Sequence, residues 1–268
     1  MPSGKSSKAV RNARSVVTST KPKPWGTVAA VLAVLVFAGG IFYYLFTRYE
    51  DRRAFNPSTT NKDPSTQIEG IVTKSYGEAN RGHIGPDKRV AYDQSPPFGG
   101  PHDATWAACN GEVYETAVRN ENMVHALEHG AVWIAYNPDQ ITGPALQSLR
   151  DRVQGGSYLM LSPYPGLDSP ISLQSWGHQL KLTDPADQRI DQFIQALRTN
   201  QYMYPEIGAS CNVLTGVFDP AKPPPFVAEP PGPDAIPMNF AGGQGTEGAT
   251  PPTRGGAQQP VPSPPAGG

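Results

Sequence analysis

Five histidines are spread along this chain, and two of them share the segment His125-Ala126-Leu127-Glu128-His129-Gly130. Residues i and i+4 of an α-helix lie on one face, so His125 and His129 can reach a single cation. Zinc, copper and nickel all accept imidazole nitrogen, and each needs at least a third ligand. His102, in the turn-forming run Gly99-Gly100-Pro101-His102, is the first choice for that place and His83 the second. Glu128 could serve as a ligand, as an orienting group behind one, or as a base. The expected metal site is therefore His102, His125 and His129, with His83 and Glu128 in reserve and copper or zinc as the ion. His178 falls between two expected strands and reads as a surface or core residue.

Two other chemistries use the same residues. The segment fits H-x-x-E-H, the inverted zinc-hydrolase pattern, in which both histidines bind zinc and Glu128 activates water. Gly130 and the apolar run after it cut that helix short. Glu206, the one glutamate downstream before the Pro-rich tail, sits in Pro205-Glu206-Ile207, which does not read as helical. A zinc-dependent hydrolase ranks last for these reasons. Histidines can also be purely structural, bonding buried carbonyls, and an imidazolium near a helix C-terminus gains from the dipole. The chain would then be a structural or partner-binding envelope module without metal, and no enzymatic activity is expected.

The elements that must carry these residues can be read from periodicity and punctuation. Residues 68–72 read as a strand, and residues 81–101 as a turn-rich loop. A short helix is predicted over 121–129, capped by Asn120 and stopped by Gly130. Residues 131–136 form a strand too apolar to face water on either side. Residues 144–154 are an amphipathic helix with Leu146, Leu149 and Val153 on one face. A second buried strand at 158–161, two short strands within 171–182 and a helix over 187–198 complete the set. This succession predicts an α+β fold, with an α/β two-layer arrangement as the alternative. It is loosely thioredoxin-like, although no Cys-x-x-Cys is present.

The rest of the chain says where such a domain sits. Gly and Pro are abundant, at 28 and 30 residues, and only 38% of residues are hydrophobic, so part of the chain is not core-forming. A net charge of −1 and the lack of a basic, aromatic-interleaved stripe argue against a nucleic-acid partner. Residues 1–24 carry six basic and no acidic residues and read as a disordered cytoplasmic tail. Residues 25–46 contain no charge and span roughly 33 Å as a helix, enough to cross a bilayer. Trp25 at one end and Tyr43, Tyr44 and Tyr49 at the other suit the interfacial belts. The run is longer than a signal-peptide apolar region, so residues 25–47 are expected as an uncleaved transmembrane helix in the plasma membrane. The positive-inside rule puts the N-terminus in the cytoplasm and the chain beyond the helix outside. Residues 48–67 then form a stalk, 68–218 the extracytoplasmic domain, and 219–268 a disordered Pro/Gly-rich tail.

Cys109 and Cys211 are the only cysteines. In an oxidising exterior they are best paired, closing a loop of about 100 residues for roughly 4–5 kcal/mol. The rival reading, Cys109 as a thiolate ligand beside His102, leaves Cys211 without a role.

Taken together, Tyr92-Asp93-Gln94-Ser95-Pro96-Pro97, Gly99-Gly100-Pro101-His102, Cys109-Asn110-Gly111 and the segment from Val124 to Ile134 resemble an actinobacterial branch of the family catalogued as domain of unknown function 3105. Leu161-Ser162-Pro163-Tyr164-Pro165-Gly166-Leu167, Ser175-Trp176-Gly177 and Gly208-Ala209-Ser210-Cys211 extend the likeness over roughly residues 68–218. The resemblance implies a membrane-anchored exterior domain in a bacterium of mycobacterial type. It also implies a family histidine at His102 and a family Glu-His-Gly at Glu128-His129-Gly130. It brings no reaction with it. Metal handling or support of an envelope protein complex is the expected role.

Overall fold

The structure is a computed structural model that describes residues 25–77, 81–214 and 216–240. The expected disordered segments at residues 1–24 and 241–268 lie outside the described residues. The chain divides into two compact units, Met1–Glu50 and Asp51–Gly268.

The described part of the first unit is helical. Helix α1 runs over Trp25–Ala54, and its stretch Trp25–Thr47 is long and apolar enough to cross a membrane. Its apolar side chains, from Val28 to Phe46, are exposed.

In the second unit the strands are β1 (Val72–Thr73), β2 (His83–Ile84), β3 (His102–Asp103), β4 (Asn110–Val113), β5 (Val132–Tyr136), β6 (Leu159–Pro163), β7 (Ile171–Ser175) and β8 (His178–Leu182). The helices are α2 (Asn120–Glu128), α3 (Gly143–Val153) and α4 (Arg189–Leu197). Six strands form one mixed sheet in the order β1-β8-β7-β5-β6-β4. The pairs β4–β6 and β5–β6 are parallel, and β5–β7, β7–β8 and β8–β1 are antiparallel. A mixed sheet with four helices is the α+β class that the pattern predicts.

Side chains alternate across the central strand. Val132, Ile134 and Tyr136 join a core with Leu149 and Val153 of α3 and Ile190, Phe193 and Leu197 of α4. Trp133 and Ala135 join another with Met123, Val124 and Leu127 of α2, Tyr114, Phe98 and Trp176. The sheet is therefore covered on both faces, in three layers rather than two. That burial explains the nearly continuous apolar sequence of β5.

Three segments differ from expectation. The strand expected at 68–72 is reduced to Val72–Thr73, because Ile68 ends a short 3-10 turn, Pro64–Gln67, and turns into the core. Residues 55–67, expected as a stalk, lie against the domain: Phe55 packs on the α3/α4 core, and Asn200 donates to the Lys62 carbonyl at 2.8 Å. Residues 219–240, expected without order, run along the α2 side, with Pro225 bridged to Val118 and Ile236 to Val90.

Candidate metal centre

Helix α2 presents the central histidine. Its N-cap is Arg119, not Asn120, and no side chain caps it. The Arg119 side chain instead holds Asp103 at 2.5 Å and Glu121 at 3.3 Å, and it donates to the Lys88 carbonyl. These bonds tie the start of α2 to the loops that carry His83 and His102. The helix ends at Glu128 with His129 as its C-cap, and Gly130 follows at a left-handed φ of +91°. A Cβ there would lie 2.8 Å from the Tyr204 ring, so only glycine allows this close approach.

The two-residue strands β2 and β3 lie outside the main sheet and pair in parallel, with His83 opposite His102. That register places the two imidazoles side by side, 4.9 Å between ring centres. The turn before His102 is equally constrained. Gly100, at φ +110°, has the Met238 side chain 2.6 Å from where a Cβ would sit.

His125 is the hub. Its ring centre is 4.7 Å from His102, 4.9 Å from His83 and 4.7 Å from His129. His83, His102, His125 and Glu128 form one potential donor group, and His125, His129 and Glu206 a second; within each, all donor atoms lie within 4.8 Å of one another. Of the expected triad, the structure thus brings His102 and His125 together in one group, and His125 and His129 in the other. His83 and Glu128 join the first. His178 stands apart and pairs with Asp63 at 3.1 Å.

Backbone carbonyls set the tautomers. His102 Nδ1 lies 2.8 Å from the Gly100 oxygen, His125 Nδ1 2.6 Å from Asp103 oxygen, and His129 Nδ1 2.8 Å from Ser210 oxygen. A carbonyl can only accept, so each Nδ1 carries its hydrogen, and Nε2 is the lone-pair nitrogen of each neutral ring. Metal-binding histidines are oriented by this kind of outer contact.

Glu128 is buried, and its Oε2 lies 2.7 Å from His102 Nε2. Since His102 Nδ1–H is already committed, a proton must lie between Nε2 and the carboxylate. Burial acts to raise the Glu128 pKa, but the His102 hydrogen bond and the neighbouring charge of His102, His125 and His83 prevail and lower it below 4.5. Ligands about 2.0–2.1 Å from a tetrahedral ion sit roughly 3.3 Å apart, so an ion would replace that proton and spread the pair by about 0.6 Å. Three imidazoles and a carboxylate would fill a four-coordinate shell, the arrangement of a binding site rather than of a catalytic site with an open position.

The second group was not legible as such. Glu206 Oε2 lies 3.2 Å from His129 Nε2, and the Glu206 main-chain N–H donates to the Glu128 carbonyl at 3.2 Å. The only sequence signal was its position five residues before Cys211, because the Cys109–Cys211 disulfide, closed across 102 residues, brings this segment to the centre. Trp106 packs on both rings of α2, 5.5 Å from His125 and 4.8 Å from His129. A groove of about 530 Å³ opens alongside, lined by Lys74, Tyr76, Arg81, Trp176 and Tyr204. Arg81 from that groove comes within 4.0 Å of Glu128.

Residues 83–213 match the family described as protein of unknown function (DUF3105). The matched span holds every residue of both donor groups. No curated protein and no solved structure matches the chain.

Proposed function

We propose that this chain, which matches DUF3105 over residues 83–213, is a membrane-anchored metal-binding protein whose domain, outside the plasma membrane, holds a copper or zinc ion through clustered histidines. One observation carries the reading: His83, His102, His125 and Glu128 place donor atoms within 4.8 Å of one another. The Nδ1–H groups of His102 and His125 are spent on carbonyls, leaving Nε2 as the ligating atom. Zinc and copper suit such a set, whereas magnesium and calcium prefer all-oxygen shells. The apolar helix Trp25–Thr47 and the disulfide support the location, with the N-terminus in the cytoplasm.

Elemental analysis of the full chain, purified in detergent after growth with copper and zinc, tests the reading. Near-stoichiometric metal is expected in the native chain and is lost in His125→Ala. A metal-free native chain that keeps its full stability overturns it. Reporter fusions at each end test the orientation, and only the C-terminal one should report the exterior.

A second reading is a structural module, with or without an envelope protein complex as partner, and the His102–Glu128 contact favours it. That pair already satisfies both groups without an ion. It predicts that His125→Ala lowers stability while no ligand is lost. The hydrolase reading is less well supported, since Glu128 faces His102 rather than a position from which it could activate water.

A further inference from the structure

Both donor groups contain His125, and sharing it constrains what they can hold. We propose that the two groups are alternative stations for one transition-metal cation, which moves between them by pivoting on His125. This rests on the metal-binding reading above and deepens it from holding an ion to handing one over.

His125 has two ring nitrogens, and they are not equivalent. His125 Nδ1 donates to the Asp103 carbonyl at 2.6 Å, so Nε2 is the nitrogen that serves a cation. One nitrogen lone pair binds one cation. Filling both groups at once would require His125 to bridge through both nitrogens, which means removing the Nδ1 proton and abandoning the Asp103 carbonyl in a buried site. Rings of both groups lie equally near His125: His102 and His83 at 4.7 and 4.9 Å in one group, His129 at 4.7 Å in the other.

The second station is set for an ion in its own right. His129 Nε2 and Glu206 Oε2 are 3.2 Å apart, close to the roughly 3.3 Å between two ligands of a tetrahedral ion. His129 is buried and aimed by the Ser210 carbonyl, next to disulfide-bonded Cys211. The Glu206 side chain is 30% exposed, whereas those of His102 and Glu128 are 0% and 3% exposed. The His129/Glu206 station therefore touches solvent through its carboxylate, and the other keeps two of its ligands sealed. In the transfer the cation retains its bond to His125 Nε2. Its bonds to His129 and Glu206 break as bonds to His102, Glu128 and His83 form. The proton held between His102 Nε2 and Glu128 leaves as the ion arrives, and one proton from solvent takes the ion's place between His129 Nε2 and Glu206, so net charge is conserved. No electron moves, and the cation is never without a protein ligand. The cargo class is a borderline or soft cation, since imidazole predominates in both shells.

Cobalt(II) alone, titrated into the full chain in detergent, tests the pivot by equilibrium dialysis and visible absorption. One cobalt per chain is expected at saturation in the native protein. One is also expected in His129→Ala and one in His102→Ala, with different absorption spectra in the two variants and a native spectrum, per cobalt, that is a population-weighted average of them. His125→Asn keeps an amide donor for the Asp103 carbonyl but lacks Nε2, and should lower affinity more than about 100-fold. An unchanged near-ultraviolet dichroism spectrum shows that it has folded. Two cobalts per native chain, or identical spectra in the two alanine variants, overturn the pivot while leaving the metal-binding reading intact. No cobalt in the native chain sinks both.

Discussion

The two faces of the sheet are built on different principles. Against one, α3 and α4 lay aliphatic side chains on Val132, Ile134, Leu159, Leu161 and Leu173. Against the other lie α2 and long loops, and with them a buried polar set that includes His102, Asp103, Arg119, Glu121, His125, Glu128 and His129. Aliphatic burial stabilises by roughly 25 cal/mol per Å² without needing exact partners. Burying charge is costly unless each group is paired, and such pairs contribute little net stability. The first face thus holds the fold together. The second spends stability on a fixed arrangement of donors, which is what a binding site requires.

The largest expected effect tests whether the site face depends on its staple. Replacing Cys109 and Cys211 by alanine should cost about 4–5 kcal/mol in the chain-entropy model, seen as a lower denaturant midpoint without reductant and a gap to the native chain that closes when reductant is added. An unchanged midpoint would mean that the loops hold themselves. Leu149→Ala, in the opposite core, should cost about 2–5 kcal/mol by chemical denaturation and leave cobalt affinity unchanged. A parallel loss of affinity would break the division between the faces. Gly130→Ala should cost about 1–2 kcal/mol for the left-handed backbone, and more for the contact with Tyr204. Unlike Leu149→Ala, it should also weaken cobalt binding, because it displaces the end of α2.

Acid should act on the site face first. Glu128 has its pKa lowered in the folded state, so its contribution is fully present above its ordinary 4.5 and is lost as pH falls below that through the folded value. Unfolding curves of the native chain and Glu128→Gln, compared from pH 7 down to 3, should converge below pH 4.5. A gap that widens in acid would contradict the assignment. The smallest effect belongs to the exposed Arg150–Glu115 pair on the helical side, where Arg150→Ala should cost no more than about 1 kcal/mol.

The same contrast explains what could be read from the chain alone. The helices at 144–154 and 187–198 and the strands at 131–136 and 158–161 announce themselves through apolar spacing, because burial against regular partners imposes regular patterns. His125 and His129 were legible for the same reason, as i and i+4 on a helix. The role of Glu206 was not, since it comes from a non-periodic segment whose place is decided by a disulfide 102 residues in span. The pairing of His83 with His102 was likewise hidden, because two-residue strands carry no periodic signal. The cap of α2 falls on Arg119 rather than Asn120 because a guanidinium bound to Asp103 and Glu121 outweighs ordinary cap preference.

Met238 touches the turn that carries His102, yet it lies 25 positions past the family-matched span, which ends at residue 213. Ile236 and Arg89 exchange main-chain contact in the same region, with the Ile236 N–H donating to the Arg89 carbonyl at 2.8 Å. Anyone choosing where to cut this gene for expression should therefore look past the boundary of the shared domain. A fragment ending at 213 would expose Gly100 and the floor beneath His102 to water, and relatives with shorter C-termini would have to cover that turn with some other side chain.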